Sequence, residues 1–178
     1  MNCRLFTTAA TVVALAIAVP AAVAGNDQGE DGAVPVAVND SCDPATFNAV
    51  LGAGACVGSG TVTFGAFIGE LSATHKVAAW NFSPSTLTIT KGERLVVSNR
   101  GGETHTFTEV AQFGGGFVEG LNHGEATVPE CSGGFANLAV ARTRLVQGST
   151  MELTNLPKGK HHFQCCIHPW MRMDVEVE

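Results

Sequence analysis

Beyond His75 the apolar residues of the chain recur at every second position in short runs, and that period commits the segment to β-strands. Thr86-Leu87-Thr88-Ile89-Thr90 alternates polar with apolar, Lys91-Gly92-Glu93 supplies a turn, and Arg94 to Asn99 forms a second, largely apolar strand. Met151 and Leu153 alternate with polar neighbours, and Leu156-Pro157-Lys158-Gly159 turns the chain. Met173, Val175 and Val177 then alternate with Asp174, Glu176 and Glu178 at its end. Successive strand side chains point to opposite faces, so each run has one face to bury, and short strands between turns predict an antiparallel sandwich. Gln112 to Phe135 breaks the pattern. It is long, Gly-rich and irregular, the kind of loop that is functional or mobile in a compact domain.

The first part of the chain reads differently. Arg4 precedes an apolar run from Leu5 to Val19, followed by Pro20 and the small-x-small site Ala22-Val23-Ala24, which is the layout of a secretory signal peptide over residues 1–24. The run is short of the roughly 20 residues a membrane helix needs, so no span is expected after cleavage. Residues 25–40 are Gly, Asp, Glu, Val and Ala with Pro35 and no sustained period, and read as an acidic flexible linker. Residues 41–75 read as a short helical segment. Asp43 and Pro44 suit the N-cap and first position of a helix with Phe47, Val50 and Leu51 on one face and Gly52 at its end. Phe64, Phe67, Ile68 and Leu71 have helical spacing, with Thr61 or Thr63 as cap. Cys42 and Cys56 bracket the first helix, and in an exported protein a disulfide between them is expected. The net charge of -6 argues against a general nucleic-acid binder.

Chemistry is concentrated in two stretches. Phe163-Gln164-Cys165-Cys166-Ile167-His168-Pro169-Trp170-Met171 sets a thiol, an imidazole and a thioether at C-x-x-H-x-x-M. A tight loop between strands can turn all three to one point, and a soft thiolate, a borderline nitrogen and a weak axial sulfur suit copper. A trigonal plane of two His and one Cys needs a second imidazole, and His105 offers it after the corner Asn99-Arg100-Gly101-Gly102. Zinc also accepts Cys and His, but a structural zinc site prefers four strong ligands. Plainer roles stand beside these: Cys165 in a disulfide, His105 as an ordinary strand-start histidine, Met171 in the core. Met173 shares parity with Val175 and Val177 and reads as core, while His75, His123, His161 and His162 read as surface or cap residues.

Residues 76–178 resemble a cupredoxin, the blue-copper family of plastocyanin and amicyanin. The resemblance lies in Phe82-x-Pro84-x-x-Leu87-x-Ile89-x-x-Gly92-Glu93-x-Leu95, then Asn99, His105 and the Cys165-to-Met171 loop. It implies an all-β fold, a Greek-key β-sandwich carrying the short helical segment outside the common domain. It further implies one type 1 copper ion with His105, Cys165 and His168 equatorial and Met171 axial, and a one-electron carrier rather than an enzyme, since only one ligand set is present. The alternative is a copper-binding module for delivery, storage or sensing. His168, framed by Pro169 and Trp170, is expected to be the ligand nearest solvent and the docking point of a redox partner, a cytochrome or a copper oxidase or dehydrogenase. The acid excess suits a basic partner, and a monomer is expected in the periplasm or outside the cell.

The cysteines divide accordingly. Of the six, Cys3 leaves with the signal segment and the resemblance gives Cys165 to copper, so with Cys42–Cys56 paired locally the remaining bridge is Cys131–Cys166. It would tie the long loop to the ligand loop.

Overall fold

The computed structural model describes residues 32–178; the expected signal segment, Cys3 and the start of the expected linker lie outside the described residues. In chain order the elements are β1 (Ala33–Asn39), α1 (Pro44–Leu51), α2 (Phe64–Thr74), β2 (Asn81–Ser83), β3 (Thr86–Ile89), β4 (Arg94–Asn99), β5 (His105–Thr106) and β6 (Thr108–Val110). There follow α3 (Leu138–Arg142), β7 (Arg144–Leu145), β8 (Thr150–Leu153), β9 (Gly159–Gln164) and β10 (Arg172–Val177). One four-stranded sheet has the order β2-β1-β4-β8 and another β3-β10-β9-β6, with β5 and β7 as a separate pair. The strands predicted from alternation at Thr86–Ile89, Arg94–Asn99 and the C-terminus are present.

The sheets are mixed rather than purely antiparallel: β1 runs parallel to β4 and β3 parallel to β10. Between them lies the core, in which Val36, Val38, Leu95 and Val97 of the first sheet meet Ile89, Phe163, Met173, Val175 and Val177 of the second. Met173 is core, as its parity predicts.

One expectation about the N-terminal part is corrected. Ala33–Asn39 is a strand rather than linker, paired with β4 along its length and with β2 at Ala37–Asn39. Its alternation is masked by Pro35, which is tolerated because β2 does not reach that far, leaving an open edge where a missing N–H costs no ladder bond. The helical segment packs on the sandwich, since its Phe47, Phe67 and Leu71 join the same core together with Trp80. Each side chain so buried contributes about 1.5–3 kcal/mol. Asp43 caps α1 by accepting from Thr46 N–H at 3.0 Å, Gly52 ends it, and Thr63 caps α2. Of the expected apolar face of α1 only Phe47 is buried, Val50 and Leu51 being 60% and 53% exposed. Ile68 of α2 is likewise exposed. The Cys42–Cys56 disulfide holds this segment together.

Candidate metal centre

Strands β9 and β10 form a hairpin registered at Gln164 opposite Arg172, and the loop between them closes on itself. Cys165 N–H donates to the Met171 carbonyl at 3.0 Å and Met171 N–H to the His168 carbonyl at 2.9 Å. This closure turns Cys165 and His168 to one point. His105 reaches it from β5, whose corner is pinned by Asn99: its Nδ2 donates to the carbonyls of Glu103 and Leu145 at 2.8 and 3.0 Å, and its Oδ1 accepts from Gly101 N–H at 2.9 Å.

The three predicted side chains come together, fully shielded. Their ligand atoms lie within 4.8 Å of one another, with Cys165 Sγ 3.8 Å from His105 Nδ1 and 3.9 Å from His168 Nδ1. Nitrogens about 2.0 Å and a sulfur about 2.3 Å from one ion, spread over a trigonal plane, would be separated by about 3.7 Å, so this donor set fits a transition-metal ion. Met171 belongs to the same loop and is buried in the same core cluster as Cys165.

Two backbone N–H groups aim at the sulfur, from Thr106 at 3.4 Å and from His168 at 3.5 Å. Burial alone would push the Cys165 thiol up, but His105 and His168 outweigh it and hold the group well below the ordinary thiol range. Thr106 also accepts the Cys166 N–H on its hydroxyl at 2.7 Å, fixing the ligand loop against β5.

Behind the imidazoles stand two acids that the sequence does not single out. Asp40 Oδ2 accepts from His105 Nε2–H at 2.8 Å and from Glu103 N–H at 3.0 Å, while its Oδ1 accepts from Gly102 and Cys42 N–H at 2.9 and 3.1 Å. Burial would raise the Asp40 carboxyl, but these bonds, led by that from His105, bring it to about 2. His105 is in turn raised to about 9: burial works against its charged form, and Asp40 and Cys165 overcome it. Glu103 Oε2 accepts from Trp80 Nε1 at 2.7 Å and lies 3.6 Å from His168 Nε2. Burial moves the Glu103 carboxyl upward, opposed by His168.

The corner's two glycines have a steric cause. A Cβ on Gly101 would collide with the Asp40 carboxylate, and one on Gly102 with the Val57 carbonyl and the Cys42–Cys56 sulfurs.

Of the four expected ligands His168 is the most exposed, yet it too is buried. It is 3% exposed. Phe67 of α2, Trp80 and Trp170 pack around its ring with centroids 6.3, 6.5 and 5.4 Å away, Pro169 is buried and Trp170 half-buried. The second disulfide, Cys131–Cys166, turns the neighbouring cysteine outward into a small cluster with Val110, Val128 and Val140, tying the long loop to the ligand loop. Cys165 is the free cysteine among the described residues.

The remaining histidines stay away from this point. His161 bonds Glu109 and the Pro157 carbonyl, His162 bonds Asp174, and His75 stacks on His123 at the surface.

A mixed two-sheet sandwich with a Cys-His-Met loop closing its last hairpin decides the architecture. The fold is cupredoxin-like. No family model and no curated protein matches the sequence. Among solved structures, the purple cupredoxin from Nitrosopumilus maritimus aligns at 15% identity and a TM-score of 0.42, covering 82% of this chain and 99% of that one. The plastocyanin from Dryopteris crassirhizoma aligns at 13% and 0.41, covering 82% and 100%. A reduced amicyanin mutant aligns at 19% and 0.36, covering 58% and 78%. Such distant cupredoxin likenesses add no weight to the centre's chemistry, which rests on the residues of this chain.

Proposed function

We propose that the chain is an exported type 1 copper protein carrying single electrons between redox partners, in which His105, Cys165, His168 and Met171 would hold the ion. The observation behind this reading is the buried trio, a sulfur with two imidazole nitrogens 3.8 and 3.9 Å away. One copper ion in such a set, with a weak thioether, is acceptable as Cu(II) and Cu(I) and supplies one-electron exchange. The chain's part is to keep the ligands where they are: the closed β9–β10 loop and the Cys131–Cys166 bridge hold the sulfur and His168, Asp40 holds His105, and Phe67 and Trp80 exclude water. Backbone N–H donors on the sulfur moderate its charge.

Delivery or storage would use the same residues. Releasing an ion, however, requires an opening beside His168, where Phe67, Trp80 and Glu103 pack, and this burial favours electron carriage. A redox partner, a cytochrome or a copper oxidase or dehydrogenase, would approach the half-buried Trp170, whose ring adjoins His168. With a net charge of -6, association with a basic partner should weaken as salt is added. Two disulfides support an oxidising compartment, periplasmic or extracellular, with cleavage after residue 24. Among the described residues no helix is long and apolar enough to cross a membrane.

Adding Cu(II) to the folded protein tests the assignment. An intense visible copper–thiolate band should appear and be lost in Cys165→Ser. No band, or a band that survives that substitution, defeats it.

A further inference from the structure

Each imidazole of the centre has a carboxylate at its outer nitrogen. Asp40, with its side chain 0% exposed, accepts from His105 Nε2 at 2.8 Å; Glu103, 9% exposed, stands 3.6 Å from His168 Nε2. Both acids are held in place by other donors. Three backbone N–H groups, from Cys42, Gly102 and Glu103, fix Asp40, and the Trp80 indole fixes Glu103. The two Nδ1 atoms face Cys165 Sγ instead.

We infer that Asp40 and Glu103 tune this centre: Asp40 holds the His105 ring with Nδ1 toward the sulfur, and the two buried carboxylates lower the centre's reduction potential by favouring Cu(II) over Cu(I). The inference rests on the copper reading above. A carboxylate that accepts the outer N–H of a ligating imidazole fixes its orientation and raises its basicity. The oxidised centre carries one more positive charge than the reduced one, so a fixed anion nearby stabilises the oxidised form more. The effect is large where water cannot screen it.

Asp40 lies outside the resemblance to known copper domains, directly after β1 and just before the Cys42–Cys56 helical segment. The N-terminal segment therefore supplies part of the cover over His168, through Phe67, and half of the charge behind the ligands.

The test is the midpoint potential of the copper-loaded protein in Asp40→Asn and Glu103→Gln, with the exposed Glu152→Gln as control. Each of the first two should raise the potential by at least one tenfold change in the Cu(I)-to-Cu(II) affinity ratio, about 59 mV for one electron. The control should leave it unchanged. A potential unmoved in either Asp40→Asn or Glu103→Gln overturns the inference. Asn at position 40 turns one acceptor end into a donor facing backbone N–H groups, so that variant is at risk of misfolding. A second measurement therefore uses the wild-type protein without copper: nitrogen-resolved NMR should find a slowly exchanging proton on His105 Nε2. A fast-exchanging or absent proton there overturns the inference. Lack of a copper–thiolate band in the wild type would defeat the copper reading separately, since the imidazole measurement needs no metal.

Discussion

The ring of Phe67 meets the imidazole of His168 nearly edge-on, with centroids 6.3 Å apart and planes at 80°. A residue of α2 thereby closes the centre from a segment outside the stretch that resembles a cupredoxin. Phe67 also packs on Phe47, Trp80 and Trp170. Phe67→Ala should cost about 3–5 kcal/mol in urea unfolding, the usual range for emptying a buried aromatic site. The same variant should lose bound copper to a chelator faster than wild type, because the cover over His168 is opened. Wild-type loss rates in a destabilised but copper-retaining variant would show that α2 stabilises the fold without sealing the site.

Gly101 sits against Asp40 so closely that a Cβ there would overlap its carboxylate. Gly101→Ala must displace either the corner or Asp40, and overpacking of this kind costs about 1–3 kcal/mol. The prediction is a lowered thermal midpoint together with a changed His105 Nε2–H signal in NMR. An exposed glycine at the other end of β4, Gly92, has open space around the same position. Its left-handed φ of 102° strains an alanine as well, so a stability loss at Gly92→Ala should leave the His105 signal unmoved.

The residues of the candidate centre are legible in the sequence because their spacing is short and their donor types are unusual together. C-x-x-H-x-x-M lies in one loop, and His105 follows a Gly-rich corner. What surrounds them is not legible, for the reason that it is assembled from afar. Asp40 is one acid among several in a stretch that reads as linker, and only the parallel pairing of β1 with β4 carries it to His105. The strand itself is masked by Pro35 and flanking glycine. Phe67 follows a helical period that predicts a buried face without naming what it covers, and Val50 and Leu51 show that periodicity overstates a short helix's buried side. Thr106, adjacent to His105, could have been suspected from position alone; its role depends on the Cys166 N–H, which no spacing reveals.

Cys165 and Cys166 are neighbours with opposite fates, one facing the centre and the other bonded to Cys131 across a separation of 35 residues. Alkylating the unreduced, copper-free, unfolded chain should label Cys165 and leave Cys42, Cys56, Cys131 and Cys166 unlabelled in the mass map. The double variant Cys131→Ala with Cys166→Ala should lose about 3–5 kcal/mol of stability, as expected for opening a loop of this length. Labelling of Cys131 and Cys166 in the unreduced protein would contradict the bridge.

His161, buried at the start of the β9 strand, pairs through Nδ1 with Glu109 of β6 and through Nε2 with the Pro157 carbonyl. Burial disfavours its charged form, yet these two acceptors outweigh it and raise its pKa above the ordinary 6.5. A group with a raised folded-state pKa binds its proton more tightly folded than unfolded. Its contribution is therefore complete below about pH 6.5 and disappears as the pH rises through the folded-state value. Unfolding free energy measured in urea should fall across that window in the wild-type protein, with salt weakening the effect because Glu109 is half exposed. Glu109→Gln keeps an acceptor but removes the charge, and should flatten the fall. An equally steep decline in Glu109→Gln would assign the pH dependence to another group.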